Sequence, residues 1–539
     1  MSRPVDDPRA SPGRHDPAFA DRMHNSVVRK KTPIGETTQN SGSLSSHMKI
    51  SKPSGPALVL AAIIALLGST VGAQENVRLP DLGGGTLRVL SPEQERTFAR
   101  DFERYMRAHN LLVEDPLIRD YFEDMGFRLV SVSSRPSAEF HFFVLRDPSI
   151  NAFASVSGVI GLNAGLILMA HDESEVAGVV AHEIAHVTQD HLARGMEAAQ
   201  QVSLPMMIAT IGLAVAAGMA GAGGDAPGAV LMSGMGLAQQ MQINHTRQAE
   251  AEADRVGIGL LARTGYDPHG MARFFERLNA HSRVMGAGPP EYLRTHPLTV
   301  NRTAEARSRA DQFSVSQPRE SVDFHFAQAR LRVLMSQSAQ SAEDWFRVRL
   351  ERGERPPEAM RYGSILAQIR ARQFARAAIE MDRLINDFPD HQLIKLLEAE
   401  LLLARGDQTQ AVERLAELYQ DFPGSRMVTR QYAEALMHDS SPEQAARAGE
   451  VLRRHLRRFP NDLRMTELLA QASNRSGEPV RAIEAQAESY YLRGGITAAI
   501  EQLELAERRD DLDYYQRARI SARLNEMRSE QVRMMSRRH

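Results

Sequence analysis

His182-Glu183-Ile184-Ala185-His186, followed far downstream by Glu250-Ala251-Glu252-Ala253-Asp254, is the part of this chain that decides its fold and its chemistry. Residues four apart on an α-helix lie about 40° apart around its axis. His182 and His186 therefore point the same way and can share one metal ion. Glu183, one step round, cannot easily join them but can reach a water beside the ion. Two nitrogen ligands, an open position and a carboxylate base are what metal-assisted hydrolysis needs.

The motif's surroundings predict a buried helix. Asp172 is an N-cap, and Glu175 stands where it can close a capping box. From Val176 to Ala199 there is no Pro, and Gly only at 178 and 195, so one long helix is expected. Val176, Val179, Val180, Ile184 and Val187 make it apolar. Inward histidines and a glutamate without a metal are costly to bury; the competing reading is a pair of satisfied core histidines.

A third ligand is needed. A third histidine on the same helix would stand at 192 after a glycine at 189, but those positions hold Leu192 and Gln189. His191 lies about 140° round the helix from His186 and reads as structural. Glu250 is the candidate ligand, with Asp254 one turn later on the same face, able to hydrogen-bond a ligand imidazole. Glu252 faces the other way and reads as a solvated helix charge. Two histidines and a glutamate suit zinc best, one ion per chain, although cobalt or manganese fits the same donors.

HExxH followed by Glu-x-x-x-Asp resembles the layout of the gluzincin peptidases. The strings Ala181–His191 and Arg247–Gly257 are similar to those of the HtpX/BepA group of metallopeptidases. Asn151-Ala152-Phe153-Ala154 with Gly161-Leu162-Asn163 resembles that group's active-site edge strand, and Thr295–Arg302 its HPxTxxR segment. The resemblance implies that His296 caps the zinc and holds the enzyme latent. It also implies that Arg302 lies near the substrate's oxyanion and that Asn151, Ala152 and Phe153 form a strand edge beside the metal. A substrate could join such an edge as an added strand, main chain to main chain.

Elsewhere the chain reads as several segments. Residues 1–47 are polar and aperiodic and are expected to be disordered. Met48-Lys49-Ile50-Ser51-Lys52, the apolar run Ala57–Leu67 and Val71-Gly72-Ala73 have the outline of a cleaved signal peptide over 48–73. Translation is then expected to start at Met48, and the mature chain to run from Gln74 into the periplasm. The α+β zincin-type domain is placed at 74–315, with a small sheet leaning on the HExxH helix. Helices opening at Ser91 and Asp115 and strands around Phe140–Leu145 and Ala152–Leu166 belong to it.

The apolar, Met-rich segment 204–241 admits three readings: a mobile cover for the site, an element dipping into a membrane surface, or a true span. From about 320 to 539 the chain reads as an all-α tetratricopeptide superhelix. Phe388-Pro389, Phe422-Pro423 and Phe459-Pro460 recur at intervals of about 34 and 37 residues. Gly406 with Ala411, and Gly477 with Ala482, mark the turn and the small packing residue within the period.

A net charge of −2 gives no case for nucleic acid. The chain has no cysteine, which excludes thiolate metal sites, a catalytic thiol and disulfides. The expected function is an exported zinc endopeptidase degrading misassembled outer-membrane β-barrel proteins, a setting taken from the resemblance. Its partners are protein substrates and, through the repeats, the outer-membrane protein assembly machinery. The alternatives are a chaperone or scaffold with a latent site, and a membrane-embedded protease using 204–241.

Overall fold

The computed structural model describes residues 91–155, 157–195, 246–285, 290–354, 356–438 and 441–536. The expected signal peptide, the polar stretch 1–47 and the apolar segment 204–241 all lie outside these residues. Among the described residues no helix is long and apolar enough to cross a membrane.

The fold is α+β and mostly helical, a small sheet against the HExxH helix followed by an all-α array of helix pairs. Helix α1 (Pro92–Ala108) opens with a full capping box between Ser91 and Gln94, and α2 (Pro116–Ser131) opens on the Asp115 side chain. Strands β1 (His141–Leu145), β2 (Ala152–Ala154) and β3 (Val159–Asn163) form one sheet in the order β1-β3-β2. β1 runs parallel to β3 and β2 antiparallel to it. The free side of β1 is covered by the chain at 111–113, where Val113 N–H donates to Val144 O at 2.9 Å. Among the described residues β2 is the sheet's other edge.

After α3 (Ala164–Met169) comes α4 (Glu173–Thr188), buried from Glu173 through Ala185 because it is packed between the sheet, α2 and a later helix. Two expectations change here. Glu175 does not return to the Asp172 backbone; it accepts from His171 N–H and takes a fork from Arg277, while Asp172 caps Glu175 N–H. The helix also stops at Thr188 instead of running to Ala199. Gln189 caps it, Asp190 takes a left-handed φ of 53°, and residues 191–195 form a separate helical turn.

Helix α5 (246–264) and α6 (Gly270–Met285) complete the wall behind α4. Close approach is bought with small residues: a Cβ on Gly178 would stand 3.0 Å from the Met271 Cα, and one on Gly257 3.2 Å from the His182 backbone nitrogen. α7 (Glu291–Thr295) and α8 (Val300–Ala310) flank His296, and α9 (Val322–Met335) begins the helical array.

The array continues as α10 (Ala339–Glu351), α11 (Pro357–Arg370), α12 (Phe374–Asp387), α13 (Gln392–Arg405), α14 (Gln408–Asp421), α15 (Arg426–Leu436) and α16 (Pro442–Arg458). It closes with α17 (Leu463–Arg475), α18 (Pro479–Leu492), α19 (Ile496–Glu507) and α20 (Tyr514–Ser536). Phe388, Phe422 and Phe459 are the C-caps of α12, α14 and α16, so each Phe-Pro pair ends the second helix of a repeat. Gly406 and Gly477 turn between paired helices with φ of 89° and 78°. Ala411 is fully buried, whereas in the last of these repeats Ala485 takes the buried place and Ala482 is half-buried.

The described residues form one compact unit. Phe324 and Leu331 of α9 complete the apolar core under the HExxH helix. Arg330 reaches Asp115 at 2.7 Å and Glu400 at 3.1 Å, Arg426 reaches Asp120 at 2.8 Å, and Arg104 of α1 meets Glu530 of α20 at 2.8 Å.

Candidate metal centre

The residues expected to meet do meet. His182 and His186 project from successive turns of α4, and their Nε2 atoms stand 2.9 Å apart. Across from them, on α5, Glu250 places its carboxylate oxygens 3.4 Å from each Nε2. His296, at the end of α7, joins the same group; one donor atom from each of the four lies within 4.8 Å of the others. His296 Nδ1 is 3.0 Å from Glu250 Oε1, and its Nε2 is 3.4 Å from Glu183 Oε1. The Tyr292 ring stacks on the imidazole at a centroid distance of 4.7 Å.

Asp254 holds its oxygen 2.9 Å from His182 Nδ1, in a contact bent away from the ideal hydrogen-bond line. His182 Nε2 faces His186 and Glu250. Burial opposes charge on His182, but the carboxylates of Asp254 and Glu250 outweigh it and carry its pKa up to about 10. Burial pushes His186 down to about 3, its bond to Glu250 offsetting only part. Burial also resists charge on Glu250, yet His296 and the hydrogen bonds of the histidines hold its carboxylate well below the usual range. Two imidazole nitrogens facing a buried, ionised carboxylate are an arrangement that a divalent cation satisfies. The residues fit a metal.

Glu183 is buried beside this point. Its Oε1 makes no hydrogen bond among the described residues, and burial raises its pKa. Arg302 is buried against the same group of carboxylates. Its guanidinium forks onto Asp254 with two contacts of 2.8 Å, reaches Glu250 Oε2 at 2.8 Å and donates to Pro297 O at 2.9 Å. It is bound to the carboxylates that face the ligand cluster.

Two residues set aside in the sequence turn out to touch the site. His191 does not face elsewhere: its Nδ1 is 3.0 Å from His186 Nδ1, and its Nε2 is 3.2 Å from Glu252 Oε2. Glu252 is therefore more than a solvated charge, since it also takes Arg194 at 3.0 Å. Helical-wheel angles do not extend to His191 because α4 ends at Thr188. Asp190 was the available signal, being a residue type that tolerates the left-handed region.

The strand edge also shifts by one residue. Asn151 O accepts from Asn163 N–H and Ser155 N–H donates to Val159 O, so Asn151, Phe153 and Ser155 turn their main-chain groups inward. In an antiparallel ladder the alternate residues then point outward, which are Ala152 and Ala154. The Ala152 N–H is taken by Asn151 Oδ1 at 2.9 Å. Phe153 packs its ring on Phe102. Tyr292 N–H donates to Ile150 O at 3.1 Å and ties the base of the strand to the segment carrying His296.

A buried HExxH helix facing a glutamate helix and flanked by a strand edge defines a metallopeptidase. The profile of peptidase family M48 matches residues 117–310. The beta-barrel assembly-enhancing protease of Escherichia coli K12 is 34% identical over 460 residues, covering 84% of this chain and 92% of that protein. Its counterpart in Yersinia pestis is 34% identical over 457 residues, covering 84% and 91%. The metalloprotease LoiP of Escherichia coli K12 is 32% identical over 162 residues, 30% of this chain and 58% of that one. The chain belongs to peptidase family M48 and, within it, to the beta-barrel assembly-enhancing proteases.

Proposed function

We propose that this metalloendopeptidase uses zinc and acts in the periplasm on misassembled outer-membrane β-barrel proteins, with its helical repeats as the docking surface. The observation that carries the chemistry is the convergence of His182, His186 and Glu250 beside the buried carboxylate of Glu183. The setting is carried over from the names of its relatives.

His182 and His186 through Nε2 and Glu250 through its carboxylate would hold the ion. When bound, zinc polarises the scissile carbonyl and makes a water acidic enough to give up a proton near neutral pH. Glu183 takes that proton and later passes it to the leaving amine, and its burial brings its pKa towards what a shuttle needs. The Ala152 carbonyl and the main-chain groups of Ala154 face outward, and an extended substrate segment can pair with them. Arg302 pins Asp254 and Glu250, so the ligand set is held before the ion arrives. The domain division at 74–315 and 320–539, export by a cleaved signal and membrane-surface contact through 204–241 belong to the same proposal.

A second reading is favoured by His296, which touches both Glu250 and Glu183. Held there, it closes the site, and the chain works mainly as a scaffold for outer-membrane protein assembly. Casein degradation by the exported protein, beside Glu183→Gln and His296→Ala with bound zinc assayed in each, separates the two. Cleavage by the parent and none by Glu183→Gln supports the peptidase. Activity appearing only in His296→Ala supports the latent form, and a parent without zinc sinks the zinc-peptidase reading.

A further inference from the structure

We propose that His191 and Glu252 are a positioning pair for the metal ligand His186, doing for the second ligand imidazole what Asp254 does for the first. The inference rests on the ligand set proposed above. Its geometry begins where α4 ends. Asp190, at a φ of 53°, is clamped by Arg135, whose Nη1 lies 2.8 Å from Oδ1 while Nη2 reaches the other oxygen. The clamp fixes a turn that swings His191 back under His186, with the rings edge to face at 4.8 Å. His191 is 5% exposed, so its ring has no solvent to bond to instead.

The proton positions then follow from one another. His186 must present the Nε2 lone pair to the ion, so its Nδ1 carries a proton and donates across 3.0 Å to His191 Nδ1. Nδ1 of His191 is then an acceptor, which puts its proton on Nε2, donating across 3.2 Å to Glu252 Oε2. Glu252 is fixed as an acceptor by Arg194 at 3.0 Å and Arg255 at 3.4 Å. This set of tautomers satisfies the contacts running from His186 through His191 to Glu252 and leaves His186 able to ligate. The outer partners of metal-bound imidazoles orient the ring and raise its basicity.

The test uses the full chain and zinc or cobalt(II) alone, reading the dissociation constant by chelator competition and the visible bands of the cobalt form. His191→Phe keeps the ring and removes the acceptor; His191→Asn returns an oxygen near the Nδ1 position; Glu252→Gln weakens the far anchor. We expect His191→Phe to bind metal about 10- to 100-fold more weakly with shifted cobalt bands, His191→Asn to recover most of that loss, and Glu252→Gln to move both readouts the same way by less. Parental affinity and bands in His191→Phe overturn the proposal, and so does an equal loss in Phe and Asn, which would mark packing alone. If His191→Phe does not fold, Glu252→Gln decides, and unchanged readouts there overturn it. His186→Ala keeps the two levels apart: a parent that binds metal and loses it in His186→Ala leaves the ligand set standing whatever His191 does.

Discussion

At the scale of single residues, Glu183 and the ligand histidines make separable predictions. Glu183→Gln keeps the donors and removes the base, so bound metal should stay at the parental level while kcat/KM falls roughly 10²- to 10⁴-fold. Metal content and peptide kinetics on the same preparation check this. The histidines predict how metal removal couples to pH. His182, raised to about 10 from 6.5, stabilises the metal-free fold fully below pH 6.5 and progressively less as pH climbs through 10. His186, lowered to about 3, acts oppositely, costing stability as pH falls below 6.5. Chelator-treated protein should therefore have its highest melting temperature near pH 6.5 as far as this pair decides it. Metal-loaded protein should lose less on the alkaline side, because the ion replaces the proton on His182. Melting curves at several pH values, with and without chelator, would show whether the two profiles differ. Arg302 adds a third case. Removing one member of a buried ion pair costs about 3–5 kcal/mol, so Arg302→Ala should shift the denaturation midpoint strongly even without substrate.

At the scale of elements, the site depends on how closely three helices can approach. Gly178 brings α4 against the backbone of Met271, where an added Cβ would stand 3.0 Å from Cα. Ala is the better helix former by about 1 kcal/mol, yet Gly178→Ala should destabilise by about 1–3 kcal/mol because backbone has to move. Urea denaturation gives the sign directly, and a stabilised variant would refute the packing argument. The end of α4 has a comparable effect. Had the helix continued past Thr188, His191 would have faced away from His186, as wheel arithmetic predicts. The strand edge shows the same limit from the other side, since the register with β3 selects Ala152 and Ala154 as the outward residues.

At the scale of the whole molecule, the repeats and the peptidase share an apolar core and buried ion pairs. Arg330 lies between Asp115, at the start of α2, and Glu400, on α13. Arg330→Ala leaves two carboxylates with no buried cation between them, and about 3–5 kcal/mol should be lost. Hydrogen exchange should then rise along both α2 and α13; protection lost in the repeats alone would contradict the shared seam. The sequence determined what depends on local spacing: the HExxH helix, the Glu250 and Asp254 face, the Phe-Pro period and the caps at Ser91, Asp115 and Asp172. These follow from helical periodicity and turn chemistry, which act over a few residues. The tertiary structure alone decided what joins distant segments. Arg302 onto Asp254, His296 onto Glu250 and Glu183, and His191 onto Glu252 are contacts between segments far apart in the chain. Helix ends, strand register and backbone approach at Gly178 and Gly257 set them, and no periodicity in the sequence encodes where two separate elements will touch.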